Sequence, residues 1–274
     1  MGMMTGTGPL SPQPAGEWNE ARTLYLEPTP KRIRALVDGV LVADSRRAFL
    51  LQEAGLQPIY YFPPEDVRSD LLRPTDKHTH CPKKGDASYY SVVAGDRVVE
   101  NAAWFYPEPI AGAPAALRGL IAFYWDRVDT WMEEDQEVIG HARDPYHRID
   151  VLRTSRRIKV SLDGVVLAET SRAVALFESN LPVRWYMPRE DVVAELEPSD
   201  SHSICPYKGH ASYYSVRLES GRQLEDLVWY YPEPLAEAVD ISGLVCFYNE
   251  RVDIELDGEP QERPESPWRA RRAA

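Results

Sequence analysis

Hydrophobic and polar residues alternate with a period of two along most of the chain, and this spacing is typical of β-strands. PIYYF (58–62), ASYYSVV (87–93) and LIAFYWDRVDTW (120–131) combine the alternation with β-branched and aromatic residues, which are enriched in strands. IRALVDGVLVADS (33–45) predicts a β-hairpin that turns at Asp38-Gly39, because glycine accepts the positive φ of a tight turn. The pattern predicts a mainly β protein.

Helical signals are few. PEDVRSDLL (64–72) and REDVVAEL (189–196) predict short helices, because proline and acidic residues at their starts suit a helix N-terminus. AFLLQEA (48–54) and AVALFES (173–179) fit either a third helix or a buried strand.

The chain contains the same unit twice. CPKKGDASYYSV (81–92) recurs as CPYKGHASYYSV (205–216), and LVDGVLVADSRRA (36–48) aligns with SLDGVVLAETSRA (161–173). The repeated unit is roughly 100 residues long, so each copy has room for its own hydrophobic core. The repeat predicts two tandem homologous β domains, each made of small antiparallel sheets with few short helices. The predicted boundaries are a flexible N-terminus (1–17), a first domain (18–132), a linker (133–144), a second domain (145–257) and a C-terminal tail (258–274).

Composition narrows the class of protein. The net charge of −12 disfavours a phosphate backbone as partner, so we expect no nucleic acid. No apolar run approaches the roughly 18–20 residues that span a bilayer, so we expect no membrane contact. Three cysteines (Cys81, Cys205 and Cys246) are too few for a disulfide framework, and the N-terminus lacks a signal-peptide pattern. The expected location is cytoplasmic.

Common catalytic and cofactor motifs are absent, including the P-loop, HExxH, GxSxG and a strand-linked GxGxxG. Each unit has one D-x-H-x-x-C string, with His78 and Cys81 in the first and His202 and Cys205 in the second. The two cysteines are candidate nucleophiles, because a histidine lies three residues before each of them. Three ligands in each string leave one tetrahedral position open, as in a catalytic zinc site, but polar side chains in loops more commonly hydrogen-bond the backbone. We therefore predict no metal and no cofactor.

A different set of repeated residues predicts a binding site in each unit. Lys84 and Lys208 lie in a turn shaped by proline and glycine, and aromatic residues follow on the next strands. Aromatic walls with a lysine and a glutamate suit small planar, charged ligands. The candidate ligand-binding residues are Lys84, Tyr61, Tyr89, Tyr90, Trp104, Tyr106, Glu108 and Arg47 in the first unit, and Lys208, Tyr186, Tyr213, Tyr214, Trp229, Tyr231, Glu233 and Arg172 in the second.

Three functions remain open. The first is a small-molecule-binding protein with one aromatic, lysine-lined pocket per domain. The second is an enzyme that uses Cys81 and Cys205 in thiol or hydrolytic chemistry. The third is a non-catalytic platform for protein interactions. Two similar domains in one chain also suggest a pseudo-twofold pair that replaces a homodimer, so we expect a monomer.

Several separated motifs together resemble the bacterial domain-of-unknown-function 427 family. They are T/S-x-C-P-x-K-G-x-A-x-Y-Y (Thr79–Tyr90 and Ser203–Tyr214), W-x-Y-P-E-P, and F-Y-x-x-R-V-D (Phe123–Asp129 and Phe247–Asp253). The resemblance covers roughly residues 18–257 and implies a β-tent type of fold, in which two sheets lean together at a steep angle. Lys83 departs from the aromatic residue that the family usually has there, whereas Tyr207 conforms to it.

Overall fold

The computed structural model of the chain describes residues 16–18, 23–53 and 55–265. The chain divides into two compact units, and the division falls between Asp144 and Pro145. Both units consist mainly of β-strands, so the predicted class of two tandem β domains is confirmed. In the described residues, no helix is both long enough and apolar enough to cross a membrane.

The described strands of the first domain form one eight-stranded and one four-stranded sheet, with antiparallel pairing throughout. The larger sheet has the order β1-β2-β5-β6-β10-β9-β8-β7, and the smaller has the order β12-β11-β3-β4. The strands are β1 (Glu17–Trp18), β2 (Leu24–Pro28), β3 (Ile33–Val37), β4 (Val40–Ser45), β5 (Phe49–Glu53), β6 (Ile59–Phe62), β7 (Leu72–Cys81), β8 (Gly85–Ala94), β9 (Arg97–Phe105), β10 (Ile121–Phe123), β11 (Thr130–Glu133) and β12 (Gln136–Val138).

The second domain repeats this plan. Its larger sheet has the order β13-β16-β17-β21-β20-β19-β18, and its four-stranded sheet has the order β15-β14-β22-β23. The strands are β13 (Ile149–Arg153), β14 (Ile158–Leu162), β15 (Val165–Thr170), β16 (Val174–Glu178), β17 (Arg184–Pro188), β18 (Glu195–Cys205), β19 (Gly209–Arg217), β20 (Gln223–Tyr230), β21 (Leu244–Phe247), β22 (Asp253–Leu256) and β23 (Glu259–Gln261).

The predicted hairpin is present in both domains. Asp38 and Gly39 connect β3 to β4 with φ values of 51° and 72°, and Asp163 and Gly164 do the same between β14 and β15 at 51° and 81°. Two consecutive positive φ angles define the turn that matches the right-handed twist of the strands.

The predicted helices are only single 3₁₀ turns. They span Pro64–Asp66 and Ser69–Leu71 in the first domain and Arg189–Asp191 in the second. The sequences suit a helix start, but the chain returns to extended backbone at Val67 and Val192, so no α-helix propagates. The two ambiguous segments are the buried strands β5 and β16. Two further 3₁₀ turns of the first domain are Ala115–Leu117 and Trp125–Arg127, and the second domain has Ala236–Ile241.

Part of the stretch predicted as a linker is folded. Residues 136–138 form β12, and the side chains of Val138 and Ala142 are buried in the first domain. Glu134, Asp135 and Glu137 are exposed around this hairpin, whereas Glu133 is buried, so composition alone concealed the strand. The predicted tail likewise begins with β23, whereas residues 1–15 and 266–274 lie outside the described part of the chain.

Each larger sheet has hydrophobic clusters on both faces. In the first domain one cluster lies between the two sheets and includes Ile33, Phe62 and Trp131. The opposite face of the larger sheet has a second cluster that contains Tyr61 and Trp104. The second domain has the equivalent pair of clusters. Because neighbouring strand residues point to opposite faces, Tyr60 and Phe62 enter the core between the sheets while Tyr61 enters the outer cluster.

Candidate functional site

The repeated lysine lies in a tight turn that joins two long strands of the larger sheet. Lys84 precedes Gly85, which has a φ of +100°, and Lys208 precedes Gly209 at +104°. A Cβ atom added at Gly209 would lie 3.1 Å from the backbone oxygen of Glu233, so the turn packs closely against the W-x-Y-P-E-P segment. The conformation and the close packing both require glycine.

Backbone hydrogen bonds fasten this turn in both domains. The amide of Ile110 donates to the carbonyl of Lys84 at 3.2 Å, and the amide of Leu235 donates to that of Lys208 at 3.0 Å. The proline-rich segment therefore holds the backbone of the lysine in place. This explains why the two motifs recur together although they are more than twenty residues apart in the sequence.

Each lysine forms a nearly buried ion pair with a glutamate at the end of a strand. Lys84 Nζ lies 2.5 Å from Glu53 Oε2, and Lys208 Nζ lies 2.6 and 2.5 Å from the two carboxylate oxygens of Glu178. The side chains are 9% and 11% exposed in the first pair, and 9% and 4% in the second. The structure thus brings a cation and an anion together in both domains.

Sequence reasoning missed both glutamates. Glu53 ends β5 and Glu178 ends β16, and the two are separated by the same 125 positions as Asp38 and Asp163. The aligned repeat therefore contains the recurrence of these glutamates, but the segments that carry them fit either a helix or a strand. Pairing with the lysine, across 31 and 30 residues, depends on the tertiary fold.

The glutamates predicted for the site lie elsewhere. The carboxylate of Glu108 is 75% exposed and pairs with Arg118 at 2.6 Å, and Glu233 is also exposed. They follow the proline that ends the aromatic segment, so their side chains point to the surface. Their backbone, rather than their carboxylate, contacts the lysine turn.

The lysine–aromatic cluster is our name for the lysine–glutamate pair together with the aromatic residues of the same sheet face. In the first domain Trp104 Nε1 donates to the Tyr61 hydroxyl at 3.3 Å, and in the second Trp229 Nε1 donates to Tyr186 at 3.0 Å. Burial raises the pKa of the Tyr61 and Tyr186 phenols well above the ordinary value. These phenols therefore act as neutral hydrogen-bonding groups. The cluster comprises Lys84, Glu53, Tyr61, Tyr89, Trp104 and Tyr106 in the first domain, and Lys208, Glu178, Tyr186, Tyr213, Trp229 and Tyr231 in the second.

Tyr106 and Tyr231 connect the cysteines with the glutamates. Burial is the largest cause that raises the pKa of Tyr231, followed by the neighbouring groups Cys205 and Glu178. Burial, followed by Cys81, likewise raises the pKa of Tyr106. Cys81 and Cys205 are half-buried beside these phenols. They pack at the edge of the cluster as small side chains.

The structure separates the two members of each tyrosine pair. Tyr89 and Tyr213 belong to the cluster, where their hydroxyls lie 2.7 Å from Thr79 Oγ1 and Ser203 Oγ respectively. Tyr90 and Tyr214 lie on the opposite face of the sheet, where they stack on Phe105 and Tyr230. Neighbouring residues of a strand point to opposite faces, so Tyr89 and Tyr213 join the cluster while the predicted site residues Tyr90 and Tyr214 pack on the other side of the sheet.

The cysteine and histidine candidates are not brought together. His78 and Cys81 are both in β7 with a spacing of three, and such residues point to opposite faces of a strand. His78 is exposed and lies 3.3 Å from Ser88 Oγ, and His202 has the same relation to Ser212 at 3.4 Å. Among the described residues, no group of three histidine, cysteine or acidic side chains is arranged to hold a metal ion.

The repeated arginines stabilise another part of each domain. Arg47 pairs with Asp66 at 2.9 Å, and Arg172 pairs with Asp191 at 2.5 Å. Each arginine therefore holds a 3₁₀ turn in place, the turn after β6 in the first domain and the turn after β17 in the second. About 59% and 58% of these side chains is exposed. Neither guanidinium contacts the glutamate of the cluster in the described part of the structure.

Together these features define a tandem pair of small β domains, each with one lysine–aromatic cluster on its larger sheet. The chain belongs to the family described as Domain of unknown function (DUF427), whose sequence profile matches residues 25–134 and 150–258. The match covers most of both domains and confirms the tandem arrangement. No curated protein matches the chain.

Proposed function

We propose that the protein binds small planar molecules at the lysine–aromatic cluster of each domain. The observation that supports this function is the buried lysine–glutamate pair set among aromatic rings on the sheet face outside the main core. A buried ion pair contributes little net stability compared with apolar residues of the same size, so folding alone does not account for its presence in both domains. Aromatic rings and a paired charge are the groups that orient a planar, polar ligand.

The cluster is closed to solvent in both domains. Lys84 and Lys208 are each 7% exposed, and the aromatic side chains around them are buried. A ligand therefore enters by displacing side chains at the margin of the cluster, of which Lys83 in the first domain is 39% exposed. The bound molecule then shares the lysine or the glutamate with its original partner.

The geometry favours this function over chemistry at cysteine. A thiol nucleophile needs a base or a cation within hydrogen-bond reach, and the neighbouring histidines point away from the thiols. The thiols pack instead against buried tyrosines, whose raised pKa values keep the phenols protonated, so these phenols do not take the proton of a thiol.

The test uses the full chain and a thermal-shift panel of planar aromatic acids, amides and amines. We expect at least one class to raise the melting temperature of the native chain, and the double variant Lys84→Met/Lys208→Met to lose that shift. Lys159→Met is the matched control, because Lys159 pairs with Glu255 at 2.8 Å on the smaller sheet of the second domain. A panel without any shift would argue for the interaction-platform alternative, and a shift that survives in the double variant would place the ligand outside the cluster.

A further inference from the structure

The charged side chains beside the two lysine–aromatic clusters differ. In the first domain Glu53 accepts hydrogen bonds from both Lys84 and Lys83, the latter at 2.9 Å. A third ammonium, that of Lys77, lies 4.4 Å from the ring centre of Tyr89 and 5.8 Å from that of Tyr124. Lys77 forms no ion pair within the described residues. Lys77, Lys83 and Lys84 carry three positive charges at and beside this cluster, and Glu53 carries one negative charge, so these four side chains have a formal charge of +2.

The second domain has neither of the additional lysines. Tyr207 takes the place of Lys83 and stacks on His147, whose Nε2 lies 2.9 Å from Glu178 Oε1. Ser201 takes the place of Lys77 and donates to Asp226 at 2.7 Å. The first domain has the neutral Asn101 at the position of Asp226. At these two positions the second domain therefore has one positive charge fewer and one negative charge more than the first.

The second domain does have a cation beside its aromatic rings, but that cation is neutralised. Arg184 lies over Trp229 at 5.3 Å, and its guanidinium donates to both oxygens of Glu250 at 2.8 and 2.7 Å. The two side chains are 7% and 0% exposed, so the pair is closed to solvent. Lys208 is matched by Glu178 and Arg184 by Glu250, so these four side chains have no net formal charge, and Asp226 adds a negative charge beside them.

We propose that the first domain binds an aromatic anion and that the second binds a neutral aromatic molecule. This inference rests on the proposed function and adds the ligand class of each domain. An anion in the first domain supplies the carboxylate that Lys77 lacks and shares Lys83 at the accessible margin, while its ring lies against Tyr89 and Tyr124. In the second domain an anion meets no uncompensated cation and is repelled by Asp226, so a neutral ring binds with less loss of solvation.

The experiment compares benzoate with benzamide, which share a ring and differ in charge, and uses acetate as an anion without a ring. Binding to the full chain is measured by ligand-detected NMR and calorimetry. The variant Lys77→Ser/Lys83→Tyr copies the second domain, and Lys77→Ser alone serves where the double variant melts early. Ser201→Lys adds the missing cation to the second domain, and Lys159→Met is again the control.

We expect one benzoate per native chain, with an affinity that falls as salt is raised. Lys77→Ser/Lys83→Tyr should weaken benzoate about tenfold or more and leave benzamide unchanged, because only the charged ligand uses the two ammonium groups. Ser201→Lys should strengthen benzoate binding to the second domain.

Three results overturn the inference while the proposed function stands: two equal benzoate sites, equal binding of acetate and benzoate, or benzoate affinity that is unchanged in Lys77→Ser/Lys83→Tyr. A native chain that binds neither benzoate nor benzamide at millimolar concentration overturns this inference. Binding by the native chain that persists in Lys84→Met/Lys208→Met places the ligands elsewhere and overturns both proposals.

Discussion

Replacing Lys208 with methionine tests how much the buried pair contributes to the second domain. The change keeps an unbranched side chain of similar length but leaves Glu178, which is 4% exposed, without its ammonium partner. Removing one partner of a buried pair typically costs about 3–5 kcal/mol. We expect about 3 kcal/mol, the lower end, because His147 remains 2.9 Å from the carboxylate and can still donate to it.

The first domain provides an internal comparison. In Lys84→Met the carboxylate of Glu53 keeps Lys83, whose Nζ lies 2.9 Å away, so the loss should be smaller, about 1–2 kcal/mol. Lys159→Met breaks a pair in which both side chains are 33% exposed, and it should cost at most about 1 kcal/mol. The expected order of destabilisation is therefore Lys208→Met, then Lys84→Met, then Lys159→Met.

Urea denaturation of the full chain measures the free energy of unfolding, and hydrogen–deuterium exchange assigns the loss to one domain. The double variant Glu178→Leu/Lys208→Met should recover part of the stability, because it removes the uncompensated buried charge. If Lys208→Met unfolds at the same urea concentration as Lys159→Met, the carboxylate is hydrated in solution and the reasoning from burial is wrong.

Three further predictions follow from single residues. Burial alone would raise the pKa of Glu53, but hydrogen bonds from Lys84 and Lys83 outweigh it and hold the pKa below its ordinary value. The contribution of Glu53 to the free energy of unfolding is therefore complete above the unfolded pKa of about 4.3 and is lost as the pH falls through the folded pKa. Glu53→Gln should reduce the loss of stability between pH 6 and pH 3, and an unchanged difference between the urea midpoints at these two pH values would contradict this. Burial raises the pKa of the Cys246 thiol to about 12, so iodoacetamide at pH 8 should label Cys246 only after denaturation. Peptide mass spectrometry measures the labelling, and a Cys246 that reacts as fast in the native chain as half-buried Cys81 would refute this prediction. Gly209→Ala should lower the free energy of unfolding by about 1–3 kcal/mol, because alanine is strained at a φ of +104° and its Cβ meets the Glu233 oxygen at 3.1 Å. Gly164→Ala has a positive φ but no atom within 4 Å of the added Cβ, so it should cost less, and equal losses of stability in urea denaturation would refute the packing argument.

The sequence by itself determined the class of fold, the duplication and the Asp-Gly hairpins, because these depend on local periodicity and on backbone conformation. The alternation of each strand also placed Tyr89 and Tyr90 on opposite faces. Local signals were misleading where tertiary contacts decide the outcome: the short helices at residues 64–72 and 189–196 are single turns, and part of the acidic stretch at 133–144 is a strand.

Only the tertiary structure decided which charges meet. Glu53 and Glu178 meet the lysines although three strands lie between β5 and β8, and between β16 and β19, in the order of the larger sheets. A one-dimensional pattern does not contain that proximity. Glu108 and Glu233 are close to the lysine turn in backbone but not in side chain, so the repeated motif indicated the segment that packs on the turn and not the carboxylate that pairs with the lysine. The separation of His78 from Cys81 has the same origin, since a spacing of three brings side chains together on a helix and apart on a strand.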